Sequence, residues 1–151
     1  MICPVILVCG SRVWTCESTI RAWLAPIHRQ WLASNGSKEW ERAGRPARGR
    51  PTLGHGNATG ADEIAGAIAT SWGWHVKPYP ADWKQYGNTA GAIRNREMFC
   101  DLKPDRGLAF GALVRVRSGA QVRFTGTGDM VSVMNDAGVR VMLVARPGDV
   151  P

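Results

Sequence analysis

Val5-Ile6-Leu7-Val8-Cys9-Gly10-Ser11-Arg12 decides the fold: a continuous apolar run that stops abruptly at small and cationic residues. With the residues before it, from Met1, it predicts a strand buried on both faces of a parallel sheet and ending at Cys9. Working outward, Thr15 is placed to cap a helix whose Ile20, Trp23, Leu24, Ile27 and Trp31 recur at helical spacing, with Pro26 predicting a kink or an early end. The same order returns later. A short strand at Pro51 to Leu53 runs into the loop Gly54 to Asp62, and Ile64, Ala65, Ile68 and Trp72 then line one helical face.

Trp74 to Tyr79 reads as a third strand closed by Pro78 and Pro80, Ala81 to Ala90 as a polar loop, and Gly91 to Leu102 as a helix stopped by Pro104. Arg106 to Phe110 forms a fourth strand, weakened by Arg106 and Gly107 as a fully buried one. Val114 and Val116 alternate with Arg115 and Arg117, and Val122 and Phe124 flank Arg123 across Ser118-Gly119, so residues 111–124 predict an inserted hairpin with one basic face. Thr125-Gly126-Thr127-Gly128-Asp129 then opens a helix with Met130, Val133, Met134 and Ala137 on one face, and Val139 to Val144 supplies the last strand. Alternating strands and helices imply right-handed crossovers. The expectation is an α/β chain, a Rossmann-like three-layer sandwich with a mostly parallel five-stranded sheet plus the small hairpin, forming one domain over residues 1–151.

In such a sheet every strand-to-helix loop opens on the carboxyl edge, where ligands bind. Three of these loops are rich in Gly, Ser and Thr. Gly lets backbone N–H groups approach a phosphate closely, and a helix N-terminus adds about half a positive charge. A phosphate site at that edge follows. The net charge of +7, from 19 Lys and Arg against 12 Asp and Glu, suits an anionic ligand or nucleic acid equally well. Part of the excess lies in Arg42, Arg45, Arg48 and Arg50, within or beside a Gly/Pro-punctuated loop that reads as a solvated connection. The longest apolar stretch is too short to span a membrane and has no basic segment before it, so a soluble, cytoplasmic protein with no membrane partner is expected. Cys3, Cys9, Cys16 and Cys100 have neither CxxC spacing nor a His partner at metal spacing, and reduced structural thiols are expected.

Five segments in register carry a resemblance. Val8-Cys9-Gly10-Ser11-Arg12 with Trp14, His55-Gly56 through Thr59-Gly60-Ala61-Asp62, Ala81-Asp82-Trp83, Ala90-Gly91-Ala92-Ile93-Arg94-Asn95-Arg96-Glu97-Met98, and Pro104-Asp105 with Ala109-Phe110 and Gly126-Thr127-Gly128-Asp129-Met130 resemble the YspA-like, YpsA-related branch of the SLOG superfamily of Rossmann-like nucleotide-binding proteins. The resemblance implies a nucleotide or nucleotide-derived ligand; no cofactor is expected, and the absence of His and Cys at metal spacing predicts no metal. Two departures stand out. A double Gly is implied ahead of Gly126-Thr127, soon after Phe110; here residues 111–124 intervene and Thr125 precedes Gly126, implying a displaced or reshaped phosphate loop. The related Lonely Guy phosphoribohydrolases imply a Glu four positions after that Gly, where this chain has Met130. A thioether has no proton to trade and no charge with which to stabilise an oxocarbenium-like transition state.

The candidate ligand residues are therefore Gly10, Ser11 and Arg12; His55, Gly56, Thr59, Gly60 and Asp62; Asp82, Trp83, Arg94 and Asn95; and Thr125, Gly126, Thr127, Gly128 and Asp129. Arg12 suits bidentate phosphate recognition. Asp62 either complements the helix dipole or accepts from a ribose hydroxyl, Trp83 either stacks on a base or covers the core, and Arg94 pairs with phosphate or with Asp82. His55 is a polar loop residue rather than a metal ligand. The leading function is non-catalytic binding, sensing or sequestration of a signalling nucleotide. The alternative is an N-glycosidic hydrolase using Asp62 or Asp129, the latter about 100° around the helix from Met130. Binding of single-stranded nucleic acid through Arg42 to Arg50 and the Arg115/Arg117/Arg123 hairpin ranks last, because only Phe124 offers those segments a stacking ring. Homo-oligomers are a further expectation.

Overall fold

The computed structural model describes residues 3–34, 49–111, 114–116 and 122–151. In chain order these form β1 (Val5–Gly10), α1 (Glu17–Ser34), β2 (Thr52–His55), α2 (Ala61–Ser71), β3 (His75–Pro78), a short α3 (Trp83–Tyr86) with a 3-10 turn (Gly87–Thr89), α4 (Ala90–Leu102), β4 (Arg106–Phe110), β5 (Val114–Val116), β6 (Val122–Phe124), α5 (Gly126–Asp136) and β7 (Arg140–Val144). Five strands make one sheet in the order β3-β2-β1-β4-β7, and every pairing in it is parallel. The architecture is the Rossmann-like α/β fold expected. The separate β5–β6 ribbon is antiparallel, with Arg115 opposite Arg123.

The apolar run in β1 has the cause proposed for it. Ile6 and Val8 face a core completed by Ile20, Leu24, Leu53, Ala65, Ile68 and Phe110, while Leu7 and Cys9 face a second core with Met98, Leu102, Met130 and Met134. A strand that feeds two cores cannot alternate apolar with polar residues. Gly107 does not weaken β4 as expected, because it makes room: a Cβ there would lie 2.6 Å from Met134 Sδ, so the missing side chain lets α5 pack down on the sheet.

Several boundaries differ from expectation. α1 starts at Glu17 rather than from a Thr15 cap, with Cys16 Sγ 3.1 Å from Thr19 Oγ1 at its start, and it runs through Pro26 to Ser34. Buried Leu24 and Ile27 hold the helix against the sheet on either side of the proline, so packing outweighs the lost hydrogen bond. β2 extends to His55 because Gly54 and His55 pair in register with Leu7 and Val8, which takes both residues out of the loop. β3 is shorter than Trp74 to Tyr79. The segment expected as a featureless polar loop at 81–90 holds α3 and the 3-10 turn, started by Asp82 Oδ1 accepting from the Gln85 amide at 3.0 Å. Capping, which carries no periodicity, builds that turn. All four cysteines are free thiols, and among the described residues no helix is long and apolar enough to cross a membrane.

Candidate functional site

The end of β1 and the start of α2 are locked together by backbone. Ser11 donates to Phe110 O at 2.7 Å, and its own carbonyl accepts from the amides of Trp14 and Ala61. Gly10 permits this approach, since a Cβ there would fall 2.5 Å from Ala61 Cβ. Gly60 permits it from the other side, with φ +78 and a position where a Cβ would meet Ser11 O at 2.3 Å. Thr59 Oγ1 adds a hydrogen bond to Arg12 O at 3.3 Å. Thr59 and Gly60, expected to touch ligand, thus shape the first loop.

The start of α5 is built as firmly. Thr125 is the N-cap and its hydroxyl accepts from the Gly128 amide at 3.0 Å, while the Asp129 amide bonds Thr125 O. The amides of Gly126 and Thr127 have no intrahelical acceptor at this end of a helix. Buried Asn95 ties α4 to this turn by donating to Gly126 O at 3.2 Å and to Asp129 Oδ2 at 2.9 Å.

These loops meet around a cavity of about 390 Å³. Its wall takes Gly10, Ser11 and Arg12 from the first loop, Gly56 and Asp62 from the second, Arg94 and Asn95 from α4, and Thr125, Gly126 and Thr127 from the third. With the inserted hairpin between β4 and α5, the third loop still lines the same cavity as the first. Gly111, at φ +102, turns the chain beside Ser11, and its amide bonds Val144 O at 2.9 Å, so the insertion leaves the sheet without parting the loops.

Asp62 is the electrostatic centre of this wall. It is 4% exposed; Oδ2 accepts from the Ala58 amide at 3.3 Å, and Oδ1 has no hydrogen-bond partner among the described residues. Burial pushes its carboxyl up to about 6, opposed by the Ala58 amide and by the guanidiniums of Arg94 and Arg12. The Gly56 amide also favours the charged form, from a position that makes no hydrogen bond to Oδ1. Arg94 does not pair with Asp82. It donates to the carbonyls of Gly56 and Tyr79 and, through Nε, to Asn95 Oδ1 at 3.0 Å, because the carbonyls that end β2 and β3 need donors in a buried place. Asp82 is occupied at the α3 cap instead.

Other candidates stand elsewhere. His55 is buried at the end of β2; its Nδ1 accepts from the Asn57 amide at 3.0 Å, burial lowers its pKa, and it faces a different hollow beside Gly66 and Thr70. Gly128 and Asp129 are off the cavity wall, as is Met130, which is wholly buried in the second core. Trp83 does not cover the core: it is 49% exposed, with the Arg12 guanidinium 5.6 Å from its ring centroid. Cys9, Val13, Ala58 and Met98 line the cavity and were not among the sequence candidates. Met98 was legible, since it lies one helical turn beyond Arg94 and Asn95, and Cys9 was legible as the last residue of the apolar run. The remaining two are loop residues with no chemical signal. Arg42 and residues 43–48 of the basic loop, and residues 112, 113 and 117–121 of the hairpin, lie outside the described residues. Among the described residues no three His, Cys, Asp or Glu side chains gather as a metal site requires.

A five-stranded parallel sheet with a Gly-rich cavity at its carboxyl edge defines a class, that of Rossmann-like α/β domains. Within that class the chain belongs to the YspA, cpYpsA-related SLOG family, whose model matches residues 4–86. It is similar to the Gene 61 protein of Mycobacterium phage D29, with 34% identity over 99 residues that cover 62% of this chain and 66% of that protein, just under two thirds of the relative's length. No solved structure matches. Membership makes nucleotide-related binding, or phosphoribohydrolase-like activity, the expectation for the cavity.

Proposed function

We propose that the carboxyl-edge cavity binds a phosphate-bearing nucleotide or nucleotide-derived signalling molecule and releases it unchanged, so that the protein senses or sequesters its ligand. The observation that carries this reading is the convergence of Arg12, the Gly10-Ser11 turn and the first turn of α5 on one cavity of about 390 Å³. Amides at a helix start and a guanidinium are the donors a phosphate needs, and the loops that carry them are fixed by hydrogen bonds within the protein. Met130 supports the absence of turnover, because a buried thioether in the core can neither donate a proton nor reach a glycosidic bond.

Asp62 favours a second reading. A carboxyl on the cavity wall with an unpartnered oxygen and a pKa near 6 is suited to act as a general acid, which would make the protein an N-glycosidic hydrolase of rearranged design. Asp129, the other acid considered, is held by Asn95 and stands off the wall. One experiment separates the two. Purified protein is screened by thermal shift against mono-, di- and cyclic nucleotides and ADP-ribose-type ligands, where a ligand at ~100 times its Kd adds about 2.7 kcal/mol. Each hit is then incubated for hours and chromatographed. Ligand recovered intact supports binding alone, whereas free base that scales with protein and disappears in Asp62→Asn establishes the hydrolase.

A further inference from the structure

The cavity shares four wall residues, Arg12, Gly56, Ala58 and Arg94, with a neighbouring cavity of about 310 Å³ whose other walls include Pro80, Ala81 and Trp83. Trp83 stands out there. Trp rings, apolar in body and polar at one edge, are enriched at binding surfaces, and this one sits in a concavity. It is held: the Asp82 cap fixes α3, and the Tyr86 amide bonds Asp82 O at 3.0 Å. Tyr86, one turn further along the same short helix, is 40% exposed. Among the described residues the Arg12 guanidinium makes no hydrogen bond or ion pair, and it reaches the Trp83 ring while also lining the first cavity.

We propose that the two cavities form one bipartite site, in which the phosphate occupies the first and an aromatic base stacks on Trp83 in the second, with Arg12 at the junction. The inference rests on the nucleotide reading above and adds which part of the ligand each cavity takes. A planar base offers the indole a π face, and Arg12, whose guanidinium lies over the same ring, supplies a cation for the phosphate that follows the base along the ligand. Stacking rewards every base, because each has a π face, so Trp83 supplies affinity for a nucleoside over a bare sugar phosphate and leaves the choice of base to other groups. The ligand class that fits is a nucleoside 5′-phosphate or a longer molecule containing one.

Calorimetric titration with ribose 5-phosphate and with AMP, GMP, CMP and UMP tests this on the wild type, Trp83→Ala and Trp83→Phe. The wild type should bind each nucleotide about 5- to 140-fold more tightly than ribose 5-phosphate, which is ~1–3 kcal/mol of stacking at 1.4 kcal/mol per tenfold. Trp83→Ala should erase that advantage while leaving ribose 5-phosphate affinity unchanged, which also shows that the variant folds, and Trp83→Phe should restore most of it. Equal affinity of the wild type for nucleotides and ribose 5-phosphate overturns the base subsite and leaves the phosphate site standing. So does an unaltered nucleotide affinity in Trp83→Ala. Loss of ribose 5-phosphate binding in Trp83→Ala overturns it as well, by making Trp83 a support of the first cavity. Failure of every probe on the wild type overturns the base subsite and the nucleotide reading together.

Discussion

The two edges of one sheet treat their polar groups in opposite ways. At the amino edge, where α1 and α2 end, His28 stacks on Trp72 with centroids 4.6 Å apart, its Nδ1 accepts from Trp74 Nε1 at 3.0 Å, and Trp31 Nε1 donates to Gly49 O at 2.7 Å. The indole N–H groups of Trp31 and Trp74 are satisfied by the protein. At the carboxyl edge Asp62 Oδ1 is buried without a partner, and Arg12 presents a guanidinium that meets only an aromatic ring among the described residues. Leaving a buried polar group unpaired costs about 1–3 kcal/mol, so a fold that satisfies such groups at one end and not at the other has placed its stability and its chemistry at different ends.

Truncation at the amino edge should show the largest effect. Trp74→Ala removes a ring that is 5% exposed, together with the donor to His28, and is expected to cost about 3–5 kcal/mol in urea denaturation. Affinity for a ligand of the carboxyl-edge cavity should stay within a few-fold. A loss below about 1 kcal/mol would break the comparison by removing the structural role of that edge.

Asp62→Asn should act in the opposite direction. The folded protein holds this carboxyl at about 6 against an ordinary value of 3.8, so the favourable contribution of the protonated group is complete below 3.8 and is lost as pH rises through 6. At pH 8 the ionised carboxylate costs up to about 3 kcal/mol, and the Asn variant, which keeps an acceptor for the Ala58 amide, should melt higher than the wild type there and equally at pH 4. His28 tilts the other way. Burial lowers its pKa, so its contribution is present above 6.5 and lost as pH falls, and His28→Asn should flatten the acid limb of the same melting series. Identical pH profiles for Asp62→Asn and wild type would show that the carboxyl is solvated.

The smallest effect on the fold and the sharpest on the site should come from Arg12→Ala. Its side chain is exposed, so denaturation should shift by less than about 0.5 kcal/mol, while phosphate-ligand binding should weaken by about 1.5–3 kcal/mol in calorimetry. Unchanged affinity would remove Arg12 from the site and weaken the contrast between the edges.

Much of this was legible in residue order because its causes are local. A run such as Val5 to Val8 has few folds open to it, and Gly-rich turns before amphipathic helices announce the carboxyl edge wherever they occur. What misled were features with causes distant in the chain. Pro26 looked like a break because the core that buries Leu24 and Ile27 beside it is built by distant residues, and Gly107 looked like a weakness because Met134, which needs its space, lies 27 positions later. The 81–90 segment looked unstructured because a cap, unlike a packed face, has no period.

The sequence by itself determined the layer order, the three polar loops and the edge on which they gather, since hydrophobic period and turn chemistry act within a few residues. Only the tertiary structure decided which of those polar residues face the cavity. Thr59 and Gly60 hold the neighbouring first loop, His55 was drawn into β2 by pairing with Val8, and Arg94, though on the cavity wall, already donates to the carbonyls just past β2 and β3, while Arg12 and Asp62 Oδ1 kept unspent bonding capacity. Hydrogen-bond capacity is used up by whichever neighbours arrive, and in a parallel sheet the neighbours of a loop come from other crossovers tens of residues away.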